Sequence, residues 1–208
     1  VLPVIHNSHN GAWDGPLADK LLLYPAARDA FIHNLVSLAK ARGYAGYVFD
    51  FENLSPEAMK VYPQLVAQAN KALDPLGREV WVTALFGEDP GVLDQLPAAS
   101  DTLVLMAYDE HWSSADAGPV AGEDWFEKNL DKQLSHLDET KTILALGSYG
   151  YDWVPKDKAG HCLGLPVEQK DCAVLMGFHE AIHTADDSGA DVSFYQLSLN
   201  PTYPYAVD

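Results

Sequence analysis

Short apolar runs alternate along this chain with stretches whose apolar residues recur every three or four positions. The first kind predicts buried strands over residues 2–6, 44–51, 80–86, 103–108, 142–149 and 192–197. The second predicts helices over 26–41, 56–73, 91–96, 124–137 and 172–184. The helix over 56–73 has the plainest start, since Ser55 suits an N-cap and Pro56 the first helical position. Its apolar stripe runs Met59, Tyr62, Val66, Ala69 and Leu73. Over 26–41 the stripe is Phe31, Leu35, Leu38 and Ala39, and over 124–137 it is Phe126, Leu130, Leu134 and Leu137. Strand–helix alternation of this kind predicts an α/β fold with a parallel sheet, either a (β/α)8 barrel or a doubly wound sheet.

The ends of the strands separate the two. Polar or aromatic groups close each predicted strand: His6-Asn7, Asp50-Glu52-Asn53, Glu88-Asp89, Tyr108-Asp109-Glu110-His111-Trp112, Tyr149-Tyr151-Asp152-Trp153 and Tyr195-Gln196. A barrel gathers all its strand C-termini on one rim, where its active sites lie, whereas a doubly wound sheet concentrates function at one switch point. The chain has no Gly-x-Gly-x-x-Gly and no Walker pattern, so a nucleotide site has no motif behind it. The barrel is therefore expected, as a single domain over 1–208. Six strands rather than eight predict an incomplete barrel, or two strands before Val1 in a longer protein.

Charge narrows the partners. Lys+Arg 13 against Asp+Glu 30 gives a net charge of −17, which repels nucleic-acid backbones and anionic membranes. A hydrophobic content of 48% suffices for a core, yet no stretch approaches the roughly 18 apolar residues of a membrane span. The start at Val-Leu-Pro-Val-Ile-His, without Met, reads as a piece of a longer protein. Cys162 and Cys172 allow a local disulfide, which suits an oxidising compartment, or two free thiols. His6, His9 and His111 fall in different loops, where polar contacts are a simpler reading than metal ligation. Asn53-Leu54-Ser55 fits a glycosylation pattern, but Ser55 is better used as the helix cap.

The richest stretch is Gly46-Tyr47-Val48-Phe49-Asp50-Phe51-Glu52-Asn53. Strand alternation points Asp50 and Glu52 the same way, with Cα atoms roughly 6.5 Å apart, and Tyr47, Phe49 and Phe51 the other. On the stretch alone two readings stand. The acids form an acid–base pair of the kind glycosidic chemistry uses, or they cap a helix or meet a basic partner.

Gly46-Tyr47-Val48-Phe49-Asp50-Phe51-Glu52 resembles the fourth-strand signature of glycoside hydrolase family 18, the chitinase-like barrels, written Asp-Gly-x-Asp-x-Asp-x-Glu. Leu105-Met106-Ala107-Tyr108-Asp109 resembles the sixth-strand Met-x-Tyr-Asp of that family. Phe194-Tyr195-Gln196-Leu197 stands where the last strand usually carries Trp. More narrowly, the chain resembles bacterial cell-wall and spore glucosaminidases, some of them fused to deacetylase and glycosyltransferase domains. Two signature acids are replaced, by Ala45 and Val48. In the family the acid at the Val48 position partners the middle Asp, so Asp50 must lean towards Glu52 or find another donor.

The resemblance implies a retaining, substrate-assisted reaction on β-linked N-acetylglucosamine polymers such as chitin or peptidoglycan glycan, with no metal or cofactor. Glu52 is the expected proton donor, with a pKa raised by burial and by Asp50. Asp50 would orient the substrate acetamido group, Tyr108 would hydrogen-bond its oxygen, and Asp109 would hold substrate or position Tyr108. Asn7, Trp112, Tyr149, Tyr151, Trp153, Tyr195 and Gln196 are the expected sugar contacts, since aromatic faces stack on pyranose rings and amides take hydroxyls. Each aromatic taken singly fits core packing as well. Trp13 could join this group, while Trp81 and Trp125 read as core. An extracytoplasmic location is expected from the substrate. Two other readings remain: a carbohydrate-binding barrel without turnover, suggested by Val48, and an unrelated hydrolase using Asp109 as nucleophile.

Overall fold

The computed structural model describes residues 1–87, 90–133, 135, 137–166 and 171–206. Glu88, Asp89 and Leu134, named above, lie outside the described residues. The chain forms two compact units, Val1–Met106 with Gln133–Leu144, and Ala107–Lys132 with Ala145–Asp208.

The first unit opens with β1 (Val4–His6), a small hairpin of β2 (Ser8–His9) and β3 (Ala12–Trp13), α1 (Gly15–Leu23) and α2 (Pro25–Arg42). It continues through β4 (Gly46–Asp50), α3 (Pro56–Leu73), β5 (Glu79–Leu85), α4 (Pro90–Leu93), α5 (Leu96–Ala99) and β6 (Thr102–Ala107). After α6 (Glu123–Gln133) of the second unit, β7 (Thr142–Leu146) completes one five-stranded sheet of order β1-β4-β5-β6-β7. The pairs β1–β4, β4–β5 and β5–β6 are parallel. This is the expected α/β architecture, a parallel barrel-type sheet that is open rather than closed.

Local sequence explains the helices. The Asp14 carboxylate accepts the Leu17 amide at 2.9 Å and Ser55 accepts the Ala58 amide at 3.2 Å, so α1 and α3 both start on capped amides with Pro in the first turn. α2 ends on Gly43 in the left-handed conformation, at φ 67°. α3 runs through Pro63 without stopping. An interior proline costs about 3 kcal/mol. Complete burial of Leu65, Val66, Ala69 and Leu73 offsets it.

The core lies between the sheet and its helices. Tyr47, Phe49 and Phe51 are buried, while Val48, Asp50 and Glu52 are only half-buried, so burial alternates as the period of two requires. Phe49 and Phe51 stack with centroids 6.1 Å apart. Phe31 of α2 lies 5.9 Å from Phe49, and Tyr62 of α3 lies 5.6 Å from Phe51. The Tyr47 hydroxyl donates to the Leu35 carbonyl and the Tyr62 hydroxyl to that of Phe49, so neither buried hydroxyl is wasted.

The second unit holds α6, an antiparallel hairpin of β8 (Tyr149–Trp153) and β9 (Ala173–Gly177), α7 (Phe178–Ser188), and a short pair of β10 (Ser193–Phe194) with β11 (Pro201–Thr202). It corrects three expectations. The helix expected over 172–184 is β9 followed by α7, because Ala173-Val174-Leu175-Met176 pairs residue for residue with β8. A short apolar run does not by itself distinguish strand from helix. The strand expected over 142–149 ends at Leu146, and Tyr149 opens β8 instead. The strand expected over 192–197 shrinks to β10, since the chain turns at Tyr195, whose carbonyl accepts from the Leu199 amide at 2.9 Å. Cys162 and Cys172 are joined in a disulfide, resolving the alternative left open by their spacing.

The aromatic layer beneath β4 carries the first unit, so Phe49→Ala should destabilise it by about 3–5 kcal/mol in urea unfolding. A loss below about 1 kcal/mol would contradict that role.

Candidate active site

The first unit places Asp50 at the last position of β4 and Glu52 two residues beyond, both half-buried. Their surroundings follow from strand register. His6 of β1 stands opposite Asp50, and Val4 stands opposite Val48. On the other side Val48 faces Trp81 and Phe49 faces Val82, which brings Thr83 beside Asp50. The Thr83 hydroxyl donates to the Asp50 carboxylate at 2.7 Å. Trp81 is thus half-buried on the face of the acids rather than in the helix-side core, and its indole N–H donates to the Glu79 carboxylate at 2.9 Å.

Glu52 is held by its peptide. Asn7, only 5% exposed, donates through Nδ2 to the Glu52 carbonyl at 2.8 Å and accepts the Glu52 amide on Oδ1 at 2.9 Å. The same Nδ2 donates to the Asp14 carbonyl at 3.1 Å, and the Asn7 carbonyl accepts the Asp14 amide at 2.8 Å. Asn7 is therefore not an open sugar contact, as the sequence suggested. Its amide is used to position Glu52, which the long-range pairing reveals and the sequence does not.

The turn after Glu52 is tightly drawn. Asn53 is left-handed at φ 55°, and a Cβ on Gly15 would lie 2.1 Å from the Asn53 carbonyl oxygen, so α1 starts flush against this turn. Asp19 of α1 accepts the Ser55 amide at 3.1 Å. Burial and then the Asp50 charge push the Tyr62 hydroxyl above the ordinary tyrosine range, keeping it a neutral donor. At the mouth, His6 meets Trp13 edge to face, 6.2 Å between centroids.

The second unit carries the other predicted residues. Tyr108 directly follows β6, and Asp109 is left-handed at φ 62°. A chain of rings runs Tyr108–Tyr149 at 6.1 Å, Tyr149–Tyr151 at 5.9 Å and Tyr151–Trp153 at 5.5 Å. The last three alternate along β8, so they share one face of the hairpin. The Tyr149 hydroxyl donates to the Asp109 carboxylate. Burial, then that hydrogen bond and the Asp109 charge, push Tyr149 above the ordinary tyrosine range.

Trp112 is half-exposed, its indole N–H bonded to Ser114 at 2.9 Å. Beside it, Ser113, Asp116, Trp153, Lys156 and Asp171 line a cavity of about 270 Å³ braced by the disulfide at Cys172. Tyr195 is 69% exposed and Gln196 sits in the following turn. On the far side of β8, Asp152 accepts from Tyr205 at 2.6 Å, and that hydrogen bond, with burial, pushes Tyr205 up to about 12.

No protein-family profile matches the chain. YvbX of Bacillus subtilis, named as an uncharacterized glycosylase, is 29% identical over 165 residues, covering 74% of this chain and 48% of that protein. YdhD of the same organism, a candidate sporulation-specific glycosylase, is 26% identical over 99% of this chain and 48% of its own length. The crystal structure of YdhD superposes with a TM-score of 0.86 at 21% identity, covering 99% of this chain and 68% of the other. A chitinase from Chromobacterium violaceum superposes with a TM-score of 0.82 at 23% identity, covering 98% and 62%. The chain spans about half the length of the curated relatives it matches. These likenesses show the fold: the chain has the chitinase-like barrel fold that its strand motifs resemble.

Two outcomes check these local assignments. Asn7→Ala strands the peptide groups of Glu52 and should destabilise the first unit by about 1–3 kcal/mol in denaturant unfolding. Asp109→Asn should move Tyr149 ionisation to lower pH in an ultraviolet titration, because it removes the charge and weakens the acceptor. A Tyr149 that ionises in the variant no more readily than in the parent, at the alkaline end of the titration, would count against the pairing.

Proposed function

We propose that this chain carries the catalytic residues of a glycoside hydrolase acting on β-linked N-acetylglucosamine polymers, chitin or the glycan of peptidoglycan. The observation that carries the reading is the paired arrangement at the end of β4. Two acids stand on the face opposite the aromatic core, one with its carboxylate hydrogen-bonded by Thr83 and the other with its peptide clamped by Asn7. Such support is what a site needs if its acids must hold position through a reaction. The likeness to a glycosylase and a chitinase supports the same class.

The reaction is substrate-assisted and retaining. Glu52 donates a proton to the glycosidic oxygen as the carbonyl oxygen of the substrate's acetamido group attacks the anomeric carbon. The bond to the leaving sugar breaks and a cyclic oxazolinium forms. Asp50 orients the acetamido nitrogen and stabilises its developing positive charge. Glu52, now a carboxylate, takes a proton from water as that water attacks the anomeric carbon, whose bond to the acetamido oxygen breaks so that the oxazolinium returns to the acetamide. The sugar leaves with its original configuration.

By the order of motifs along the chain, Tyr108 and Asp109 serve this reaction as well. Tyr108 contacts the acetamido oxygen, and Asp109 holds substrate or Tyr108. Trp112, Tyr149, Tyr151, Trp153, Tyr195 and Gln196 supply sugar contacts across 1–208, which acts as one catalytic domain. The polymer substrate places that work outside the cytoplasm, and no described helix is long and apolar enough to cross a membrane.

Val48 favours a second reading, a carbohydrate-binding barrel without turnover. The retention of both Asp50 and Glu52, and the hydroxyl donated to Asp50, weigh for hydrolysis. Glu52→Gln should lower hydrolysis of N-acetylglucosamine oligomers by at least a factor of about 1,000 while leaving oligomer binding by calorimetry intact. The fully deacetylated oligomer should resist the parent protein. Equal cleavage by mutant and parent would sink the assignment of Glu52, and cleavage of the deacetylated oligomer would sink the substrate-assisted route. Binding by the parent without any product would establish the second reading.

A further inference from the structure

We propose that Thr83 is the positioning residue for Asp50, doing from the neighbouring strand what no acid at position 48 can do from below. This rests on the hydrolase reading. The geometry is a short lateral row across the sheet: His6 opposite Asp50 on one side, Thr83 beside it on the other. One hydroxyl proton has two acceptors in reach, the Asp50 carboxylate at 2.7 Å and the Phe49 carbonyl at 3.3 Å. The shorter bond to the anionic acceptor takes it, since charge-assisted hydrogen bonds are the stronger kind.

The layer beneath explains why the donor comes from the side. The row one pleat down is Val4, Val48 and Trp81. An acid at position 48 would stand between an aliphatic and an aromatic neighbour. Val48 therefore has two apolar neighbours in register, Val4, which is exposed, and Trp81, which is half-buried like Val48 itself. Asp50 sits above that layer with a neutral donor on the adjacent strand. A neutral hydroxyl shares no proton with the carboxylate and does not need to change its own ionisation. It holds one carboxylate oxygen and leaves the other for the acetamido group. Threonine is a frequent strand residue, and a merely structural Thr83 would be replaced by valine without consequence.

Thr83→Val keeps the shape and removes only the hydroxyl. We expect kcat on an N-acetylglucosamine oligomer to fall by about 10- to 100-fold with KM within a factor of about three, by analogy with losses of other outer-shell partners. Thr83→Ser, which restores the donor, should recover most of that loss. Thermal midpoints of both variants should match the parent. If the parent cleaves the oligomer and Thr83→Val keeps pace with it, Thr83 is not the positioning residue and the hydrolase reading stands. An equal loss in the serine and valine variants would also overturn the role. If the parent cleaves neither chitin oligomers nor peptidoglycan glycan, the hydrolase reading fails and this role falls with it.

Discussion

Everything at the end of β4 depends on the burial of its odd-numbered aromatics. Phe49 and Phe51 stack on each other and meet Phe31 of α2, while Tyr62 of α3 closes on Phe51. A strand has only two faces. Once three aromatic rings are committed to the helix side, Val48, Asp50 and Glu52 have only the opposite face to occupy. A slip of one residue would bury the acids and expose the rings, which makes the register of β4 costly to change. The hydroxyls of Tyr47 and Tyr62 reinforce it by bonding carbonyls within the same layer.

The acids themselves are secured from two directions. Asn7, after β1, grips the peptide of Glu52, and Thr83, on β5, grips the carboxylate of Asp50. Both partners are brought by parallel pairing of strands that are distant in sequence. The left-handed turn at Asn53 and the close start of α1 at Gly15 then bind the following loop to the same scaffold. A site built this way holds its geometry because it is attached to sheet and helix rather than to loop alone.

The second unit uses different means. Its rings are ordered by a disulfide-braced hairpin, in which every second residue of β8 is aromatic. Asp109 is tied to Tyr149 there, so an acid and a phenol are mutually oriented. The alternation Tyr149-Gly150-Tyr151-Asp152-Trp153 was visible as a strand pattern, yet the apolar partner 173–176 also suited a helix. Only pairing distinguished them. Tyr195 shows the opposite case: the run Val192-Ser193-Phe194-Tyr195-Gln196-Leu197 read as a strand, but the turn to Asn200 leaves Tyr195 exposed.

What the sequence determined by itself is whatever depends on spacing along one element. The α/β class, the strand that ends at Asp50 two residues before Glu52, the capped start of α3 at Ser55 and the motif at Tyr108-Asp109 are all of this kind, because periodicity and capping act between near neighbours. Tertiary structure alone decided what crosses between elements. Asn7 became a clamp rather than a sugar contact, Trp81 moved to the face of the acids, and Thr83 emerged beside Asp50, because parallel register sets these contacts between strands tens of residues apart. The two cysteines show the same division: their spacing permitted a bond, and the hairpin made it.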